Sequence, residues 1–510
     1  MELSIKSIGL LLTGLLFSTF MFANDVNLNT DNSSLNEATV ASVQVEESNE
    51  GHSHGSEVVE SEHGEEAAHG GHKEEGMPIL DLIAILVFLA AIFTFINIHY
   101  IKLPGTIGLM MQALVLSVLI VGVGFIFPSI REGAENIMRN VDFSTVLLQI
   151  MLSFLLYAGA LHVDIDKLKE ESASVFILAI FGTLLSTFLI ATSIYYLLGM
   201  FELPMEVEYI HCLLLGALIS PTDPIAVLAI LKTTNISKNL QIKIEGESLF
   251  NDGVGVVVFT TILVIATGVN SHGEAVDVTP FSVAIFFGKE VFGGILLGLG
   301  FGALGYWLLV VIDNAHEELE VLTTLALVLV GTQIAVHLHI SAPLAMVVMG
   351  LIIGRGNSTA GELDEDGNEI EGIAGEYVMK FWHLVDEAMN AILFILIGLE
   401  MLIIIQESTS AFFTIGVIGI FVILIGRFLG VAIPVTILDF FKRSAPGTIP
   451  ILTWGGLRGG ISIALALSLS GDQIGMDIKY LIVTITYCVV VFSILAQGLT
   501  IEKLVEKYSK

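Results

Sequence analysis

Thirteen apolar runs follow one another between residues 77 and 500, most of them as long as a helix that crosses a bilayer. Such a helix needs about 20 apolar residues to span ~30 Å of hydrocarbon. The runs lie at about 77–99, 104–128, 143–163, 173–199, 208–231, 246–268, 290–312, 319–338, 341–355, 381–405, 411–439, 448–470 and 478–500, and the run at 341–355 is the shortest. In lipid the backbone has to satisfy its own hydrogen bonds, so runs of this kind predict helices. Only 14% of the residues are charged, against about a quarter in an ordinary soluble domain. A water-soluble enzyme is excluded. The expectation is an all-α membrane protein with about 13 transmembrane helices.

The formal net charge of −31 is concentrated in soluble pieces. Residues 24–76 hold thirteen acids against the single Lys73, and a second acidic stretch runs from Glu362 to Glu376. No basic patch points to nucleic acid. The start of the chain resembles a secretory signal over 1–23, with Lys6, an apolar core from Ile8 to Phe22, and Ala23 as a small residue for cleavage. The alternative is an uncleaved first helix. Residues 24–76 have too few apolar residues to fold and read as an exported arm. An exported N-terminus and thirteen crossings place a short tail, 501–510, in the cytoplasm. Loop charges agree with that orientation. Segments assigned inside carry Lys102, Lys167, Lys169, Lys232, Lys238, Lys243, Arg355, Lys380, Lys442, Arg443, Lys503, Lys507 and Lys510, whereas the outside loops hold few basic residues, such as Arg131, Arg139 and Lys479. Cys212 and Cys488 sit in apolar runs and read as small buried residues.

Charges within the runs need a partner or a function. Asp223, Glu247, Asp252, Arg427 and Arg458 remain there, with Asp81 and Glu400 nearer helix ends. Two of the runs are also interrupted. The fifth contains Ser220-Pro221-Thr222-Asp223-Pro224, where proline breaks a helix. The twelfth contains Gly455-Gly456-Leu457-Arg458-Gly459-Gly460, where four glycines weaken one. Glycines alone could serve close helix packing. Two breaks seven runs apart suit an inverted repeat, because an odd offset reverses the helix direction, and paired breaks point to an ion site at mid-membrane. In the sixth run, Ser248 and Asp252 share one helical face and Glu247 and Asn251 another. Five residues at about 100° each set Glu247 some 140° away from Asp252. Asp252 can therefore offer hard oxygens to a dehydrated cation while Glu247 neutralises a buried arginine.

Thr222-Asp223-Pro224, the run Gly246 to Asp252, Gly426-Arg427 and Trp454-Gly455-Gly456-Leu457-Arg458-Gly459 together resemble the monovalent cation/proton antiporter family, which includes bacterial NhaP and animal sodium/proton exchangers. The resemblance covers about 77–500. It implies an NhaA/NhaP-like antiporter fold with inverted repeats and two broken, crossed helices, assembled as a homodimer in the plasma membrane (the inner membrane of a bacterium). It also implies Asp252 as the main cation and proton carboxylate, with Asp223, Ser248, the Thr222 backbone and Asn251 completing the site. Asn251 marks the electroneutral branch of the family. Glu247 would pair with Arg427, and Arg458 would lie near the twelfth-run break.

One departure bears on ion preference. Some bacterial relatives carry a sodium-holding glutamate in Phe-Glu-Gly-Ala-Leu, and this chain reads Tyr157-Ala158-Gly159-Ala160-Leu161. The expected activity is exchange of Na+ (with Li+ as a further substrate) for H+ at 1:1, without cofactor or ATP, since no phosphate-binding loop is present. The small inorganic cations and membrane lipids are the expected partners. The alternatives are K+/H+ exchange, a non-transporting cation or pH sensor, and a membrane-embedded metalloenzyme, against which His337 and His339 lack a converging carboxylate motif. His52, His54, His63, His69 and His72 of the arm could bind zinc, copper or nickel, or belong to a solvated acidic tail.

Overall fold

The computed structural model describes residues 79–139, 148, 151–223, 227–228, 236–269, 275, 278–312, 316–355 and 374–508. The expected signal at 1–23, the arm with its five histidines, Pro224, and the acidic stretch up to residue 373 lie outside these residues. Apart from two isolated bridges, the regular structure among the described residues is helical. In chain order the elements are α1 (Ile79–Ile96), α2 (Gly105–Gly124), α3 (Pro128–Arg139), α4 (Leu152–Leu161), α5 (Ile165–Leu198), α6 (Tyr209–Ile219), α7 (Lys238–Thr267), α8 (Pro280–Ile312), α9 (Glu317–Leu338), α10 (Ala342–Gly354), α11 (Glu376–Glu407), α12 (Ser410–Asp439), α13 (Thr448–Gly455), α14 (Gly460–Leu467) and α15 (Met476–Tyr508). Nine helices among the described residues are long and apolar enough to cross a membrane, and α4, α6 and α10 are shorter apolar helices. The twelfth expected span is split into α13 and α14, each of 8 residues.

Several helices begin earlier than the apolar runs. α5 starts at Ile165 rather than near 173, because Asp164 caps it by accepting the Lys167 N–H at 3.1 Å. α7 starts at Lys238 rather than 246, and α8 at Pro280 rather than 290, so Lys289 and Glu290 are helical residues and not loop residues. α15 continues to Tyr508 and buries Ile501 and Val505, so most of the expected tail is helix. Hydropathy marks the apolar middle of a helix. It does not register the polar first turns of α5 and α7, and in α8 the charged pair Lys289-Glu290 splits the apolar run.

The helices pack as two groups. α1, α2, α3, α4, α8, α9, α10 and α11 form one, and α5, α6, α7, α12, α13, α14 and α15 the other. They meet where α7 lies against α8 and α10, and where α11 touches α14 and α15. Trp382 anchors the first group. Its ring meets Tyr157 edge-on at 4.6 Å, and its Nε1 donates to Thr324 Oγ1 at 3.0 Å, the partner a buried indole N–H requires. Cys212 and Cys488 are both buried and unbridged.

Candidate functional site

The breaks after α6 and between α13 and α14 cross at one place. Asp223 and Leu457 form an isolated antiparallel bridge, with the Asp223 N–H donating to the Leu457 carbonyl at 2.7 Å. Unwound backbone within a membrane needs such partners. The approach is close enough to dictate a residue type. A Cβ on Gly459 would stand 2.6 Å from Asp223 Cβ and collide with its carboxylate as well, so glycine belongs there. The crossing also compensates the helix ends. The last turn of α6 presents carbonyl oxygens, and Arg458 Nη1 sits on those of Ser220 at 2.6 Å and Pro221 at 2.8 Å. A cation at a helix C-terminus and an acid at an N-terminus are both favourable, and the second place is taken by Asp223 against the start of α14.

α7 passes the crossing with its two acids pointing apart. Glu247 faces α12, where Arg427 holds both carboxylate oxygens, Nη1 on Oε1 at 2.5 Å and Nη2 on Oε2 at 2.9 Å. Nη2 of the same arginine also reaches the Leu452 carbonyl in α13 at 3.0 Å. Both side chains are buried, Glu247 at 2% and Arg427 at 3% exposure. Asp252 lies on another face of α7 and is 7% exposed. Among the described residues its carboxylate accepts no hydrogen bond and has no basic partner; Arg427 pairs with Glu247, and Arg458 directs Nη1 to the α6 carbonyls.

Asp252 opens onto a cavity of about 1410 Å³, whose wall also includes Thr222, Asp223, Ser248 and Gly459. The cavity extends to Lys102, Lys167 and Lys238 at the lysine-bearing end of the bundle. Arg131, Gln406 and Lys479, from the other end, are not on its wall. There Ser408 and Thr484 are hydrogen-bonded at 2.5 Å, tying α11's end to α15. Glu135 of α3 accepts from Gln406 Nε2 at 2.6 Å and pairs with Arg131 at 3.1 Å.

Thr222, Asp223, Ser248 and Asp252 are thus brought together on one surface. The Ser248 hydroxyl donates to the Thr222 carbonyl, which leaves the hydroxyl oxygen free to accept or ligate. Asn251, the next residue considered for the site, makes a separate set of contacts. It is fully buried, does not line the cavity, and acts as a fastener for the break. Its Oδ1 accepts the Thr222 N–H at 3.2 Å, and its Nδ2 donates to Thr222 Oγ1 at 2.9 Å and to Glu247 Oε1 at 3.4 Å. Both amide protons and one lone pair of its amide oxygen are committed in these contacts. Arg458 does lie at its own break, but its guanidinium serves the other one.

Sequence reasoning missed a charge cluster at the lysine-bearing end. Glu171 of α5 is buried and receives Lys243 at 3.2 Å, Lys442 at 2.8 Å and Asn239 at 3.2 Å. Lys243, counted as a loop charge, is a buried residue of α7. The five-acid-and-base run Asp166 to Glu171 beside a capped helix start was the available signal. At His337, Nδ1 meets the Gln333 carbonyl at 2.7 Å. Among the described residues no group of three or more His, Cys, Asp or Glu side chains is placed to hold a metal ion.

A family described as sodium/hydrogen exchanger, transmembrane, matches residues 84–507. The chain is 44% identical over 437 residues to the Na(+)/H(+) antiporter NhaP of Pseudomonas aeruginosa, covering 84% of this chain and 97% of that one. It is 32% identical over 442 residues to the Na(+)/H(+) antiporter NhaH of Halobacillus dabanensis, covering 86% and 99%. In three dimensions it resembles the sodium proton antiporter MjNhaP1 of Methanocaldococcus jannaschii at pH 8, with a TM-score of 0.64 at 18% identity over 84% of this chain and 98% of the other.

Proposed function

The chain belongs to the transmembrane sodium/hydrogen exchanger family, and on that premise we propose that it is a secondary antiporter exchanging Na+ for H+ at Asp252. The observation that carries the reading is a buried carboxylate that has no basic partner among the described residues and lies on the wall of a cavity of about 1410 Å³. An unpaired buried charge is costly. It is relieved by whatever neutralises it, and at this site the candidates are a proton from solution or a small cation.

Proton and cation compete for the same oxygens. Either loaded form is neutral at Asp252 and can cross when the two helix groups move against one another. The empty, charged form crosses poorly. Exchange follows from that rule without an energy source beyond the two gradients. Thr222 and Ser248 would add neutral oxygens around the ion, and Asp223 a second carboxylate oxygen at the crossing. The cavity would open to the cytoplasm, since its mouth lies among lysines on the side favoured by the charge bias. Ser408 and Thr484 would then belong to the closed outer face.

One carboxylate trading one proton for one cation gives 1:1 exchange and no net charge movement. Sodium as the cation is supported by the two relatives, both named Na(+)/H(+) antiporters. Ala158 on the cavity wall, where some relatives carry a glutamate, keeps K+ in the comparison. The test is dye-reported proton flux in inverted vesicles on addition of Na+, Li+ or K+, together with membrane current. The reading expects proton release on adding Na+, weaker release with K+, and no current. Flux with K+ alone would reassign the cation, and a current proportional to turnover would refute 1:1 exchange.

A further inference from the structure

Asn390 of α11 is a buried amide that the exchange chemistry above does not use. It is 2% exposed and lines the cavity that contains Asp252. Its Nδ2 donates to the main-chain carbonyl of Asp386 at 2.9 Å and to Asp386 Oδ1 at 3.0 Å, one turn back on the same helix. Those two bonds fix which end of the amide is which, with the nitrogen on Asp386 and the oxygen turned away from it. That oxygen, Oδ1, is buried and has no hydrogen-bond partner among the described residues. A buried carbonyl oxygen without a donor is costly and uncommon. A cation moving along the cavity that Asn390 lines is a group that would satisfy it, as backbone carbonyls satisfy ions when they replace a hydration shell.

The position suits that role. Asn390 is three residues from Leu393, whose side chain lies against Gly460 at the start of α14. α11 packs on α4, the helix that carries Ala158. Ala158 is itself on the cavity wall. The carboxylate that some relatives place on α4 is missing here, and an amide oxygen is available from the adjacent helix.

We infer that Asn390 Oδ1 is a cation-ligating oxygen that substitutes for the absent α4 carboxylate and sets the preference among Na+, Li+ and K+, with Asp386 as the residue that positions it. The inference rests on Asp252 being the exchanging carboxylate. An amide oxygen adds a ligand without adding charge, so it changes affinity and selectivity and leaves the 1:1 exchange intact.

The experiment is cation-dependent proton flux in proteoliposomes of the full chain, with apparent KM and maximal rate measured for Na+, Li+ and K+. Asn390→Ala is expected to raise the KM for Na+ about tenfold, to keep the maximal rate within about twofold, and to change the Na+/K+ ratio of KM values. Asp386→Ala, which releases the amide, should shift the same ratio in the same direction. Adding Ala158→Glu to Asn390→Ala should return the KM for Na+ toward its starting value. If Asn390→Ala does not fold, Asn390→Gln decides, since it keeps the amide and displaces its oxygen by one methylene. Unchanged KM values and ion ratio in the folded variant overturn the inference. Active Asp252→Asn protein would instead remove the reading beneath it, so the two failures are separable.

Discussion

The main chains of Asp223 and Leu457 are joined by a hydrogen bond of 2.7 Å at the point where two interrupted spans cross. One span contributes the break after α6 and the other the break between α13 and α14. Their union supplies partners for backbone that no helix can satisfy, and it sets Asp223 beside Gly459. Gly459→Ala is therefore a direct probe of the crossing. The new methyl would lie 2.6 Å from Asp223 Cβ, against an atom of limited freedom. A displacement of this kind at a reacting site can cost about a hundredfold in rate. Exchange in vesicles should fall by about that factor while the amount of inserted protein, read by immunoblot, stays near normal. Retained exchange would show that the crossing tolerates a side chain.

The Glu247–Arg427 pair is buried on both sides, so its two members depend on each other. Removing one leaves an uncompensated charge, at about 3–5 kcal/mol, whereas replacing both by apolar residues is often neutral. Arg427→Ala should lower the thermal midpoint of the purified protein clearly. The double variant Glu247→Leu with Arg427→Met should recover most of that loss. A double variant as unstable as the single would mean that the pair does more than neutralise itself.

Asn251 holds the α6 break by two hydrogen bonds to Thr222 and makes a third, to Glu247 on its own helix, at 3.4 Å. Asn251→Asp would set a carboxylate oxygen where an amide donor now meets Glu247 and Thr222 Oγ1. Like charges at that distance repel, and a buried donor would be lost. The variant should lose exchange at least about tenfold and should carry no Na+-dependent current in proteoliposomes on a solid-supported membrane. A robust current would contradict the role as a fastener and reinstate position 251 as an ion site.

Much of the architecture was legible because the bilayer imposes one length and one polarity on every span. The interrupted fifth and twelfth runs, with Asp223 and Arg458 inside them, were visible as proline and glycine where a helix should continue. The spacing of Glu247 and Asp252 correctly separated their faces. Helix starts were not legible, because Ile165–Phe176 and the first turns of α7 are polar and project beyond the apolar runs, and in α8 the charged Lys289-Glu290 pair separates the apolar first turns from the rest of the helix. The different tasks of Asn251 and Arg458 were also hidden. Periodicity says which face of a helix a side chain occupies, and it does not say which carbonyl from a distant break waits there. Asn390 gave no signal for the same reason, since only the fold shows that its oxygen has no partner among the described residues.

The central claim is that Asp252 alternates between a proton and a cation, and it is tested most directly by Na+-driven proton flux in proteoliposomes of Asp252→Asn. The amide cannot take up and release the exchanged proton. The account predicts no flux above protein-free liposomes, with insertion and thermal midpoint comparable to the unaltered chain. Flux near the unaltered rate would contradict it.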